Sequence, residues 1–116
     1  MEQSEFQIGL YGVVDSLYNE FGHRLSLEEL LVFATIALET GIDAPGIARQ
    51  TKLSPNRVAR ALDHLVAVRG LAKRRLGLVN WYTNDDRPGH RHYSLSTRGA
   101  LLARTIYLKF EHDLKD

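Results

Sequence analysis

From Phe6 to Phe21 the apolar residues Phe6, Leu10, Val13, Val14, Leu17 and Phe21 recur at spacings of three and four. That period gathers them into one stripe and predicts an amphipathic helix over 4–21, which Gly22 ends. Ser26 reads as the cap of a second helix, with Glu29 three residues on closing a capping box. Leu27, Leu30, Leu31, Ala34, Ala37 and Leu38 are its predicted buried face, carried to Thr40 and stopped at Gly41. Asp43 and Pro45 suit the cap and first turn of a short helix over 44–51 that buries Ile47 and Ala48. Lys52 and Leu53 make a tight turn, then Ser54 caps and Pro55 opens a fourth helix to about Val68.

Two helices joined so closely predict a helix-turn-helix over 44–69. Beyond Gly70 the pattern turns basic and β-prone from Leu71 to Tyr82, passes through turn residues from Asn84 to Gly89, and resumes with His90–Leu95. This predicts a β-hairpin over 71–95, with Gly77 a bulge or break. Ser96 caps a last helix over 96–116 whose stripe is Leu102, Ile106, Phe110 and Leu114. The predicted fold class is mainly α with a β-hairpin wing, a winged helix-turn-helix with long terminal helices.

Composition narrows the class without changing this order. The chain has 116 residues, 44% apolar and 25% charged, with 3 Pro and 9 Gly, which is the profile of one globular domain over 1–116. The absence of cysteine excludes a disulfide framework, thiolate zinc sites and thiol catalysis, and leads to a cytoplasmic expectation. Leu30–Leu38, the longest apolar stretch, is nine residues and contains Thr35, against about 20 needed to span a bilayer, so no membrane association is expected. Met1–Gln7 carries Glu2 and Glu5 and lacks the basic start of a signal peptide.

Charge matters more once divided along the chain. Residues 1–48 hold one basic residue against eight acidic ones, net −7, whereas residues 49–104 hold twelve Lys or Arg against Asp63, Asp85 and Asp86, net +9. A basic segment this concentrated is the footprint of a surface that faces a polyanion. Within it, about 100° per residue places Val58, Ala61, Leu62 and Leu65 on the core side of the fourth helix. Asn56, Arg60 and Asp63 then face outward, flanked by Arg57 and His64. Arg pairs bidentately with guanine and Asn with adenine in the major groove, so this face suits base readout. Ser54 and the free amides beside it at the helix N-terminus, which Pro55 opens, suit a phosphate.

The hairpin adds a second basic cluster, with Lys73, Arg74 and Arg75 entering it and Arg87, His90 and Arg91 near its tip. Such a wing lies along the phosphate backbone or places an Arg in the minor groove. Asp85 and Asp86 oppose that contact and are expected to orient Arg87 or shape the turn. Trp81, Tyr82 and Tyr93 have the chemistry to stack on bases, but in a hairpin folded onto helices they are expected in the core.

From Ile47 to Gly99 the chain resembles the winged helix-turn-helix of the MarR family of transcription regulators. The matching residues are Ile47 and Ala48 in the first motif helix and Leu53 and Ser54 in the turn and cap. Val58, Arg60, Leu62, Asp63 and Leu65 have the spacing of the recognition helix, and Gly70, Leu71, Arg74 and Arg75 resemble the turn into the wing. Asp86 and Arg87 look like the wing-tip pair, and Leu95, Ser96 and Gly99 match the opening of the next helix. The resemblance implies a transcriptional regulator that binds double-stranded DNA, and the two-fold pairing considered below predicts a palindromic operator. The DNA-binding residues expected from the outward face of the fourth helix and from the basic wing are Ser54, Pro55, Asn56, Arg57, Arg60, His64, Lys73, Arg74, Arg75, Arg87 and Arg91, with no cofactor, no metal and no small-molecule effector singled out.

Other readings use parts of the same pattern. His90 and His92 share a strand face and offer two metal ligands, but no third ligand and no nucleophile-base spacing accompany them, so catalysis is not expected. A winged helix can also serve purely as a protein-interaction module, and a plasmid or phage replication or partition factor would use the same DNA chemistry. Basic residues on both recognition helix and wing favour DNA. The terminal stripes, Phe6, Leu10, Val14, Leu17 and Phe21 with Leu102, Ile106, Phe110 and Leu114, exceed what a small three-helix core covers. Apolar burial contributes about 25 cal/mol per Å², so they predict a homodimer through 4–21 and 96–116. The competing arrangement packs the stripes on each other and on Leu30, Leu31 and Phe33 within one chain. A two-fold pairing would set recognition helices about 34 Å apart, on successive major grooves.

Overall fold

Local caps set most of the element boundaries. The computed structural model describes residues 3–66, 76–84 and 89–115, with α1 at Gln3–Phe21, α2 at Leu27–Leu38, β1 at Ile42–Asp43, α3 at Ala44–Thr51, α4 at Pro55–Leu65, β2 at Val79–Thr83, β3 at Arg91–Leu95 and α5 at Thr97–Lys115. A single 3₁₀ turn, Gly22–Arg24, follows α1. Ser26 Oγ accepts from the Glu29 amide at 3.1 Å while Glu29 Oε1 accepts from the Ser26 amide at 2.9 Å, which is the predicted capping box. Asp43 Oδ1 caps α3 through the Gly46 amide, and Ser54 and Ser96 cap α4 and α5 through the amides of Arg57 and Gly99.

The described residues among 1–25 and 101–116 form one compact unit, and those among 26–100 form another. In the first, α1 and α5 pack on each other at Gly9, where a Cβ would collide with the Phe110 ring. Leu17 and Phe21 are buried, as their stripe predicts, but Leu10 and Val14 of the same stripe are exposed, together with Ile8, Tyr11 and Tyr18. On α5, Leu102, Ile106 and Phe110 are half-buried, while Leu101, Tyr107 and Leu108 are exposed.

In the second unit, Val32, Phe33 and Ile36 of α2 pack into a core with Ile42, Ile47, Val58, Ala61, Leu62, Leu65, Leu78, Val79 and Tyr93. This corrects the predicted face of α2. Leu27 and Leu38 are 84% and 86% exposed, and Leu31, Ala34 and Ala37 are exposed too. The helix is apolar almost all round, so periodicity does not select a face, and the β-branched and aromatic residues fill the core instead. The helix also ends at Leu38 rather than Thr40, since Glu39 leaves helical geometry before Gly41, at φ 92°, turns the chain into β1.

Two further boundaries differ from expectation. α4 stops at Leu65, because Val66 adopts an extended backbone and pairs with Val79 as an isolated parallel bridge. The chain returns beside that helix end through Leu76 N to His64 O (2.7 Å) and Leu78 N to Leu65 O (2.8 Å). Gly77, at φ 68°, breaks the strand here, so β2 begins only at Val79. The wing is moreover part of a three-stranded antiparallel sheet in the order β1-β3-β2, with Ile42 opposite Tyr93 and Trp81 opposite Tyr93 on the other side. β1 is two residues long and its partner lies some fifty residues away, too little local pattern to read from the sequence.

α5 meets the sheet at its first turn. A Cβ on Gly99 would collide with the Leu78 carbonyl oxygen, and the Ser96 amide donates to that same carbonyl at 3.0 Å. Ser96 Oγ and Arg98 Nη1 donate to the carbonyls of Gly77 and Leu76, which fixes the segment leading into β2.

Candidate nucleic-acid interface

The α3-turn-α4 geometry follows from short-range bonds. α3 ends at Thr51 and is capped by Lys52, which takes the left-handed conformation at φ 62° and donates its amide to Ala48 O at 2.8 Å. Thr51 Oγ1 donates to Ile47 O and accepts from the Leu53 amide, closing the turn before Ser54. Pro55 at the first helical position costs no intrahelical bond. Ile47 and Val58 are buried, so the two helices meet through their apolar sides and α4 turns its polar side outward.

That outward side carries the predicted residues. Ser54, Pro55, Asn56, Arg57, Arg60, Asp63 and His64 are all exposed. They are not electrostatically equivalent. Arg57 Nη1 lies 3.3 Å from Glu28 Oε1, and His64 Nδ1 donates to Glu29 Oε2 at 2.8 Å. Both carboxylates come from the first turn of α2, so the flank of α4 nearest α2 is already paired. No such carboxylate partner meets Arg60 among the described residues. Glu29 therefore has two functions, one oxygen in the capping box and the other on His64, while its side chain is only 8% exposed. The sequence signals the first through Ser26; the second joins residues 35 positions apart and leaves no local trace.

On the wing, the core expectation holds for Tyr93 and fails for its neighbours. Trp81 and Tyr82 are 42% and 45% exposed, Trp81 on the sheet face that carries the buried Tyr93 and Tyr82 on the opposite face. Arg91 places its guanidinium carbon 4.1 Å from the centre of the Trp81 ring. Tyr82 stacks on His92 at 5.3 Å with an interplanar angle of 22°. Lys73, Arg74, Arg75 and Arg87, the other predicted wing contacts, lie outside the described residues, as do Asp85 and Asp86.

His90 and His92 serve the scaffold. His90 Nε2 donates to Asp43 Oδ2 at 2.9 Å, and His92 Nδ1 donates to the Gly41 carbonyl at 2.9 Å. Together they tie β3 to β1 and to the cap of α3. The Gly46 amide, chiefly, holds the Asp43 carboxyl below its usual pKa; His90 and Arg49 act in the same direction and burial opposes them. Among the described residues no group of three His, Cys, Asp or Glu side chains is placed to hold a metal ion, and no helix is long and apolar enough to cross a membrane.

No protein-family model matches the chain, and no curated protein sequence matches it. Solved structures do. Wild-type MarR from E. coli in its apo form is 18% identical over 97% of this chain and 75% of that one, with a TM-score of 0.66. MepR from S. aureus, solved as a MepR-DNA complex, is 15% identical over 89% of this chain and 77% of that one, at 0.68. RV1404 from Mycobacterium tuberculosis is 12% identical over 91% of this chain and 66% of that one, at 0.71. The chain thus spans between 66% and 77% of the length of these structures. With the helix-turn-helix, the antiparallel wing and the long terminal helices in the predicted order, the chain has the winged-helix fold of the MarR regulators.

Proposed function

We propose that the protein is a sequence-specific double-stranded DNA-binding protein, a MarR-like transcriptional regulator acting in the cytoplasm as a binding protein rather than an enzyme. One observation carries the reading: α4 is capped at Ser54 and turns Asn56 and Arg60 outward, with Arg60 without a carboxylate partner among the described residues. A helix of this kind sits in a major groove with its N-terminal amides on a phosphate and the Asn of its first turn and the Arg of its second on base edges. The MepR-DNA complex supports this use of the fold.

In this reading Ser54 and Pro55 hold the helix start against the backbone, Asn56 and Arg60 read bases, and Arg57 and His64 exchange their α2 carboxylates for phosphate. Lys73, Arg74, Arg75, Arg87 and Arg91 follow the backbone along the wing. A homodimer reading a palindromic operator is supported by the apolar side chains that α1 and α5 leave uncovered, Tyr11, Val14, Tyr18, Leu101, Tyr107 and Leu108. Burying them between two copies removes apolar surface that would otherwise face water.

Recovery of bound fragments from genomic DNA, followed by salt-titrated binding to the best fragment, tests the reading. A recurrent motif with two-fold symmetry is the expected result. Fragments recovered at random, or none above background, would reject it.

A further inference from the structure

The Trp81–Arg91 contact lies on the solvent-exposed part of the β2–β3 pair. Both residues are exposed, and they lie on the same sheet face one diagonal step apart, since Trp81 stands opposite Tyr93 and Arg91 opposite Thr83. A guanidinium held over an indole ring is attracted by the ring face, which takes up no hydrogen-bonding acceptor and so leaves its N–H groups available to an acceptor such as a phosphate. Arg91 also differs from Arg57, which is held by Glu28: no carboxylate pairs with Arg91 among the described residues. The aromatic ring thus restrains the side chain without neutralising its charge.

We propose that Trp81 is a positioning residue for Arg91, holding the guanidinium edge outward so that the β2–β3 pair grips a DNA phosphate beside the groove occupied by α4. The inference rests on the DNA-binding reading and adds to it a residue whose own side chain carries no charge. Its physical content is preorganisation: an arginine already restrained in the free protein loses less freedom on binding than a solvated one.

The chain's single tryptophan makes the test direct, because all indole emission comes from Trp81. In the free protein, Arg91→Ala should change the intensity of that emission, and unchanged emission would overturn the pair. Binding to a labelled duplex is then measured for wild type, Trp81→Ala, Trp81→Phe, Arg91→Ala and the Trp81→Ala/Arg91→Ala double variant, each confirmed folded by circular dichroism. Arg91→Ala should weaken binding about tenfold, and Trp81→Ala should cause much of that loss although it removes no charge. Trp81→Phe, which keeps a ring under the guanidinium, should restore most of it.

The double variant should bind no more weakly than Arg91→Ala alone, since the ring acts only through the arginine. A general lesion in the sheet would weaken the wild-type and Arg91→Ala backgrounds by the same factor, and that outcome would overturn the proposal. So would single-stranded DNA binding more tightly than duplex with Trp81 quenched, which would make the ring a platform for bases. If labelled duplex binds wild type while Trp81→Ala matches it, this inference fails alone; if no duplex binds wild type, the DNA-binding reading fails with it.

Discussion

Arg60 and Arg57 lie three residues apart on one helix, yet their surroundings assign them different contributions. Arg60 meets no carboxylate among the described residues, so in the proposed complex its guanidinium would reach a base edge without breaking an existing pair. Arg60→Ala is expected to cost about 1–3 kcal/mol in operator binding and to relax base preference at one position of each half-site, as read by binding to a panel of single-base operator variants. Arg57 must first leave Glu28, an exposed pair at 3.3 Å worth little in water. Glu28→Gln is therefore expected to strengthen DNA binding at low salt by removing a repelling charge and freeing Arg57, and equal affinities for variant and wild type would contradict this. Asp43 gives a prediction in pH. Its carboxyl is held below its ordinary value of 3.8 in the folded protein, chiefly by the Gly46 amide, so it contributes stability that is fully present above that value. The contribution is lost as pH falls through the depressed folded value. Asn caps as well as Asp but has no charge to titrate. Urea unfolding of wild type and Asp43→Asn should thus differ near neutral pH and converge in acid below the ordinary carboxylate range; a difference that stays constant into acid would contradict the assignment.

At the scale of elements, what the sequence makes legible is what short-range chemistry decides. Ser26 with Glu29, Asp43 with Pro45, Ser54 with Pro55, and Ser96 each place a helix start within a residue, because cap and amide lie three positions apart. The core side of α4 is legible for a similar reason: Val58, Ala61, Leu62 and Leu65 alternate with charged residues and leave only one face to bury. α2 offers no such contrast, so Val32, Phe33 and Ile36 rather than the leucine stripe take the core. The pairing of β1 with β3, the His64–Glu29 bond and the exposure of Trp81 depend on segments distant in the chain, and periodicity has no access to them. The contact of α5 with the strand region supplies a test of the packing itself. Gly99→Ala sets a Cβ into the Leu78 carbonyl and should destabilise the protein by about 1–3 kcal/mol in urea unfolding, whereas unchanged stability would mean that this close approach does not exist.

At the scale of the whole molecule, the divided charge and the uncovered apolar side chains have separate consequences. The acidic 1–48 segment and the basic 49–104 segment nearly cancel in the net charge of +1, so the proposed association with DNA would depend on where the cations sit and not on the total. The apolar residues left exposed on α1 and α5 are expected to pair two copies. Sedimentation at micromolar concentration should show a dimer, and Tyr107→Glu should shift it toward monomer and weaken operator binding together, since half-site avidity depends on linkage. A single species of monomer mass, unchanged by operator DNA, would contradict pairing. Whether the outward face of α4 reads duplex DNA is decided by an anisotropy titration of a labelled operator and a scrambled duplex across a salt series, with wild type and an Asn56→Ala/Arg60→Ala variant. The wild type should prefer the operator with affinity falling linearly in log salt, and the variant should bind both duplexes alike at the scrambled-duplex level; superimposable curves for variant and wild type on the operator would contradict it.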